Sequence, residues 1–427
     1  MAISTELKKR IPGKSFQNQL RDIYMDSSVL EHESERYNQA IDTFVQIFGD
    51  GDLSVFSAPG RTEICGNHTD HQNGKVLAAS LNLDVIAVVK KTDNNDIAIQ
   101  SAGFPRDDVD LSHLEPTLAE KGTSAALIRG MPAYFKQHGW NIGGFEAYTT
   151  SQVLKGSGMS SSAAFEVLVG TILSGLYNDM KIDPVEIAKA SQYTENVYFG
   201  KPSGLMDQMA CSVGGMINID FQDLQNPVIH KIDTEFSEFG HALCITDTKG
   251  NHADLTPDYA AVPSEMKEIA SYFGKTVLRE VDEDEFFAAI PELREKYTDR
   301  PVLRAIHFFE EEHRVDEQVK NLETGNFDGF LRTEQASGDS SAKYLQVAFS
   351  PTKPEEQGIP IGLAVSDKVL GHRGASRVHG GGFAGTIQAF VPTDLVGDYQ
   401  KAMDAVFGAG SCHVLQIRKY GGIKVMD

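Results

Sequence analysis

The sequence predicts a mixed α/β protein of more than one domain, and three observations lead there. The chain is 427 residues long, more than a single hydrophobic core usually organises. Val76 to Lys90 and Ile97 to Ser101 are dense in apolar and β-branched residues, which is strand chemistry. In Ala163 to Leu176, by contrast, Ala164, Val167, Leu168, Ile172 and Leu176 recur at helical spacing. The pattern shifts near 220–235, so the two domains are expected at 1–225 and 226–427.

The composition narrows the function. Hydrophobic content of 41% and charged content of 23% are ordinary for a water-soluble protein. Sixty acidic against 39 basic residues give a formal net charge of −21, a field that repels nucleic acid and anionic membranes. Cys65, Cys211, Cys244 and Cys412 lie far apart with no CxxC pair, which fits reduced, buried thiols. The first residues carry charge without a following apolar run, and no run of 18 apolar residues occurs. A cytoplasmic protein is expected; oligomeric state, monomer or dimer, is left open.

Along the chain, residues 1 to about 50 read as polar helices. Leu53 to Phe56 reads as a short strand ending at an Ala58-Pro59-Gly60 turn. A helix from Pro184 to about Tyr198 has Asp183 as its cap and proline at its first position. Met216 to Asp220 alternates as a strand. Helices follow near 262–273 and 284–324, and Thr386 to Val391 is a strand entered from a glycine turn.

The richest segment is Lys155-Gly156-Ser157-Gly158-Met159-Ser160-Ser161-Ser162, which opens the apolar helix. Glycines let a backbone approach a ligand closely. The first turn of a helix offers unpaired N–H groups and partial positive charge, a ready anion site. An N-capped core helix explains one serine, not three. Pro59 to Gly74 crowds Arg61, Asn67, His68, Asp70 and His71 between two strands, the chemistry of a binding loop. A metal site from His68, Asp70 and His71 competes with a hydroxyl-binding loop there. Asp207 sits among Leu205, Met206, Met209, Ala210 and Cys211. A carboxylate in such surroundings needs a partner, for which Arg61 is a candidate, or else serves as a helix cap. Glu195 could hold Mg²⁺, which prefers oxygen ligands. Gly380-Gly381-Gly382-Phe383-Ala384-Gly385 has G-x-G-x-x-G spacing but leads into a strand, not the helix a dinucleotide motif requires. It reads as a tight turn brought close to another loop or to a ligand.

These glycine-rich segments, in this order, resemble the GHMP small-molecule kinases. The first resembles the galactokinase-type signature G-R-x-N-L-I-G-E-H-T-D-Y and stands here as Gly60-Arg61-Thr62-Glu63-Ile64-Cys65-Gly66-Asn67-His68-Thr69-Asp70-His71. Gly204-Leu205-Met206-Asp207-Gln208 matches G-x-M-D-Q of the same members. The resemblance implies an N-terminal domain like ribosomal protein S5 domain 2, a ferredoxin-like C-terminal domain, and an active site between them. It implies ATP as phosphate donor, held by Gly156, Ser157, Gly158, Met159, Ser160, Ser161 and Ser162. Mg²⁺ would sit on Ser162 and Glu195. Asp207 would accept or orient the proton of a sugar 1-hydroxyl, with Arg61 stabilising charge. Asn67, His68, Asp70 and Tyr259 would contact the sugar. Galactose is the first substrate expected, galacturonate or another aldose the second, and a non-catalytic sugar and ATP binder the third.

Three departures bear on the substrate. Asn67 stands for the signature's Glu and His71 for its Tyr, and Ala260-Ala261 replaces the arginine pair that follows the tyrosine. Asn67 bonds a hydroxyl without the negative charge that would repel a substrate carboxylate.

Overall fold

Two sheets organise the chain in the computed structural model, which describes residues 2–153, 158–250 and 255–427. Helices α1 (Ser4–Arg10), α2 (Lys14–Tyr24) and α3 (Leu30–Phe48) lead into strands β1 (Leu53–Cys65), β2 (Lys75–Lys91), β3 (Asp96–Ser101) and β4 (Arg106–Asp110). Then come α4 (Ser124–Gln137), β5 (Phe145–Ser151), α5 (Ser161–Tyr177), α6 (Pro184–Tyr193), α7 (Met206–Val213), β6 (Met216–Asp220) and β7 (Val228–Ile232). The remainder is β8 (His241–Asp247), α8 (Thr256–Tyr272), α9 (Glu283–Tyr297), α10 (Asp299–Glu323), α11 (Phe327–Ser340), α12 (Gly358–Leu370), β9 (Ala375–His379), β10 (Thr386–Pro392), α13 (Val396–Phe407), β11 (Cys412–Leu415) and β12 (Ile423–Met426).

The first sheet has eight strands in the order β12-β1-β2-β5-β3-β4, with β6 and β7 continuing from β2. The length of β2 makes this branching possible. Its first half pairs with β6 and its second half with β5. Alternation along β2 explains why Val85 to Val89 is apolar at successive positions. Val85, Ala87 and Val89 face a core built with α4, α5 and α6, while Ile86 and Val88 face α2 and α3. A sheet covered on both faces needs apolar residues at successive positions. The second sheet, β11-β8-β10-β9, is antiparallel, with α12 and α13 packed on one face and α11 on the other. The first sheet therefore draws on strands from both sides of residue 225, including β12 at the far end of the sequence.

Most sequence readings of single elements hold: Asp183 caps α6 through its side chain with Pro184 in the first turn, and Met216 to Asp220 is a strand. Two differ. β1 does not stop at Ala58-Pro59-Gly60; it runs on to Cys65, with its pairing to β2 shifted between Pro59 and Arg61. A Cβ on Gly60 would lie 3.0 Å from the Met159 carbonyl oxygen. The glycine is there for close approach of another segment, not for a turn. The charged stretch 284–324 is two helices, because Thr298 takes φ 70° and ends α9 before α10 begins.

Among the described residues no helix is long and apolar enough to cross a membrane.

Candidate functional site

The irregularity in β1 aims Arg61, and re-aiming a side chain is what such bulges do. The Arg61 backbone N–H donates to the Met159 carbonyl at 3.3 Å. Its Nε donates to Asp207 Oδ1 at 2.8 Å, Nη2 reaches the same oxygen at 2.8 Å, and Nη1 donates to the Gly158 carbonyl. Asp207 is the second residue of α7 and does not cap it, since Leu205 holds the cap position. Burial pushes the Asp207 carboxyl up, but the Arg61 guanidinium and the hydrogen bonds from Arg61 and Ser160 outweigh it. The result is a value of about 2. The carboxylate is ionised at neutral pH, and its side chain keeps 31% exposure toward solvent.

Ser160 explains how the helix start is left open. It occupies the N-cap of α5, where serine normally bonds the first N–H groups. Here it takes a left-handed conformation (φ 54°), caps nothing, and its Oγ donates to Asp207 Oδ2. Left-handed backbone in a non-glycine residue is strain that clusters at working sites. Ser160, His68 (φ 61°) and Phe383 (φ 62°) all adopt it around this cleft. Gly156 and Ser157 lie outside the described residues. Ser162, on the first turn of α5, donates its hydroxyl to Glu195 Oε1 at 3.3 Å. Glu195 follows α6 in a π-turn, Thr194–Phe199, a rare irregularity that recurs at functional positions.

The glycine turn after β9 joins the two halves of the site. Asn67 Nδ2 donates to the Gly380 carbonyl at 2.7 Å, His68 Nε2 lies 3.0 Å from the Gly381 oxygen, and the Tyr259 hydroxyl donates to the Gly382 oxygen at 2.7 Å. Three expected sugar-loop contacts thus meet on three consecutive carbonyls. A Cβ on Gly382 (φ 74°) would fall 2.4 Å from the Val347 oxygen. Gly382→Ala is expected to cost about 1–3 kcal/mol of stability through backbone strain, read as a lowered Tm. Asp70 lies against Gly204, just before α7, so the sugar-type loop borders the Asp207 segment. Burial pushes the His68 imidazole down to about 3, leaving it neutral. His68 stacks on His71 at 5.7 Å, and its Nε2 is engaged with a carbonyl.

Sequence reasoning missed the buried frame under this loop. Arg377 Nη2 bonds Glu63 Oε1 at 2.8 Å, and Asn67 Nδ2 donates to the same oxygen at 2.9 Å. Read against the signature, Asn67 and Glu63 have exchanged residue types, so the negative charge has moved to the position Arg377 neutralises. Asn67 Oδ1 is buried without a hydrogen-bond partner. His307 Nε2 holds the Asn67 carbonyl oxygen at 2.9 Å, and Glu311 accepts from the Gly66 N–H at 3.1 Å. The signal was present only as charged residues inside apolar helix faces of α10. Lys201 was also missed; its Nζ lies 2.9 Å from Glu195 Oε1.

A helix start whose N-cap serine turns its hydroxyl to Asp207, an ionised Arg–Asp pair beside it and a polar loop held on a glycine turn thus meet in one place, an arrangement that suits a small-molecule kinase. Comparisons with known proteins agree. Residues 42–91 match the galactokinase galactose-binding signature, and residues 125–215 match the GHMP kinases N terminal domain. A galactokinase of Streptomyces coelicolor is 28% identical over 369 residues, covering 86% of this chain and 92% of that protein. One from Limosilactobacillus reuteri is 28% identical over 385 residues, covering 86% and 93%. The crystal structure of Lactococcus lactis galactokinase complexed with galactose superposes with a TM-score of 0.78 at 26% identity, covering 90% of this chain and 98% of that one. Methanococcus jannaschii mevalonate kinase shares the fold alone, with a TM-score of 0.61 at 15% identity and coverage of 86% and 99%. Over most of its length the chain is thus similar to GHMP kinases, galactokinases among them.

Proposed function

We propose that the protein transfers the γ-phosphoryl group of ATP to the anomeric 1-hydroxyl of a monosaccharide, with galactose as the first substrate. The observation that carries this reading is the Arg61–Asp207–Ser160 constellation at the start of α5. Asp207 accepts a hydrogen bond from the 1-hydroxyl and orients its oxygen toward the γ-phosphorus. The new O–P bond forms as the bond to ADP breaks, and the hydroxyl proton leaves through Asp207. A carboxylate with a value of about 2 is a weak base, so Asp207 orients the nucleophile and takes the proton late. That suits the loose transition state of phosphoryl transfer, where positioning and electrostatics dominate. Arg61 keeps Asp207 ionised and offsets charge on the transferring group.

The oxygen donors near the loop fit Mg²⁺. Ser162 Oγ and Glu195 Oε1 already converge, and both oxygens of buried Glu166, one turn beyond Ser162, have no partner. Ser162 and Glu195 would hold the ion, which supplies charge neutralisation to the phosphates. Among the described residues no group of three His, Cys, Asp or Glu side chains gathers as a metal site. An ion that takes most of its ligands from phosphate and water needs none.

Galacturonate is the second reading, and one observation favours it: Asn67 presents a neutral amide where the signature has a carboxylate, and Glu63 is neutralised by Arg377. A coupled ADP-release assay on galactose, galacturonate, glucose, arabinose and N-acetylgalactosamine tests both. Turnover with galactose is expected. Turnover of galacturonate with none on galactose would replace the first reading by the second.

A further inference from the structure

We propose that Lys201 is a phosphate-contacting residue of the nucleotide site: its ammonium exchanges Glu195 for the terminal phosphates of the bound nucleotide. This rests on the kinase reading above.

The geometry around Glu195 separates its two oxygens. Oε2 is held by neutral donors, Gln208 Nε2 at 2.9 Å and the Ser203 hydroxyl. Oε1 is where Lys201 Nζ, at 2.9 Å, and the Ser162 hydroxyl, at 3.3 Å, converge. The ammonium therefore shares an oxygen with the first turn of α5, where an anion is favoured and a cation is not. The ion pair with Glu195, aided by the nearby Asp207 carboxylate, offsets that unfavourable placement, and a phosphate there would offset it better. The two partners also differ in freedom. The Glu195 side chain is 3% exposed and fixed, whereas that of Lys201 is 58% exposed, on a flexible four-carbon stem. Pro202 restricts the Lys201 backbone to extended conformations, so the chain leaves the turn in a set direction.

Charge gives the second argument. Asp207 and Glu195 are carboxylates beside the helix start, while burial pushes the Glu166 carboxyl well up toward its neutral form, and a nucleotide adds further negative charge. Arg61 is committed to Asp207 and the Gly158 carbonyl. Lys201 supplies another cation, and its departure frees Glu195 Oε1 for a metal ion. The residue lies outside the G-x-M-D-Q match that begins at Gly204, so the family resemblance assigns it no role.

The rival explanation is that Lys201 only pins Glu195. Calorimetric titration of the full chain with ADP and with AMP, in EDTA and then in Mg²⁺, separates the two. Lys201→Met should weaken ADP binding about 10- to 100-fold in both conditions, the worth of one charged hydrogen bond. AMP binding should stay unchanged, and Lys201→Arg should retain most of the ADP affinity. ADP affinity in EDTA that is unchanged or tighter in Lys201→Met would overturn the proposal, as would an equal loss for AMP. Wild-type protein that binds no ADP would instead overturn the kinase reading itself.

Discussion

Asp207→Asn is expected to lower kcat about a thousandfold, within the range a positioned proton acceptor contributes, while ADP binding by calorimetry is retained. The substitution keeps the shape of the side chain. It removes the charge that Arg61 pairs with at 2.8 Å and the acceptor that Ser160 addresses. A coupled ADP-release assay reads the loss, and undiminished turnover would remove Asp207 from its assigned role. The pH profile gives an independent check. Because the carboxylate titrates at about 2, it is fully ionised across about pH 5–8, so it should impose no acidic limb on kcat there.

Asp84→Ala is expected to cost about 3–5 kcal/mol of folding stability, the usual penalty for stripping a buried charge of its partner. Asp84 is fully buried and accepts from Arg36 Nη1 at 2.7 Å, Arg418 Nη1 at 3.1 Å and the Tyr24 hydroxyl at 3.0 Å. Its removal leaves Arg418 without an acidic partner among the described residues and Arg36 with Glu33 alone. Urea unfolding checks the size of the effect, and a cost below about 1 kcal/mol, the surface ion-pair range, would contradict it. Burial pushes the Asp84 carboxyl up, but Arg36 and Arg418 pull it below its ordinary value of 3.8. The sign follows: the contribution is complete above that value and is lost as pH falls through the folded one. Wild-type protein should therefore lose this stability in acid, and the variant should show a flatter acid limb.

The start of α5 after its serines, the Arg61–Asp207 pair and the glycine turn were legible because each depends on residue type over a short span. Glycine and serine before an apolar helical repeat have few other physical uses. The Pro59-Gly60 pair was misread for the same reason. Proline and glycine usually punctuate, and only the approach of Met159 shows why glycine stands inside a continuing strand. Thr298 escaped because a left-handed break between two charged helices has no compositional mark. The exchange of Glu63 and Asn67 became interpretable through Arg377, more than 300 positions away. Lys201 gained meaning only from the oxygen it shares with Ser162. Contacts between distant segments are where a single sequence stops being readable.

The pairing of β12 with β1 sets an order of events in synthesis. Val55 to Ser57 meet Met426 to Ile423, and Arg418 closes on Asp84 from the same tail. On a ribosome, the edge of β1 stays unpaired, and Asp84 lacks its second guanidinium, until residues 418–426 have emerged. An open edge strand is a template for pairing with another chain. The first lobe to be made is thus the last to be sealed, and during that interval its exposed flank is the nascent molecule's point of vulnerability to aggregation.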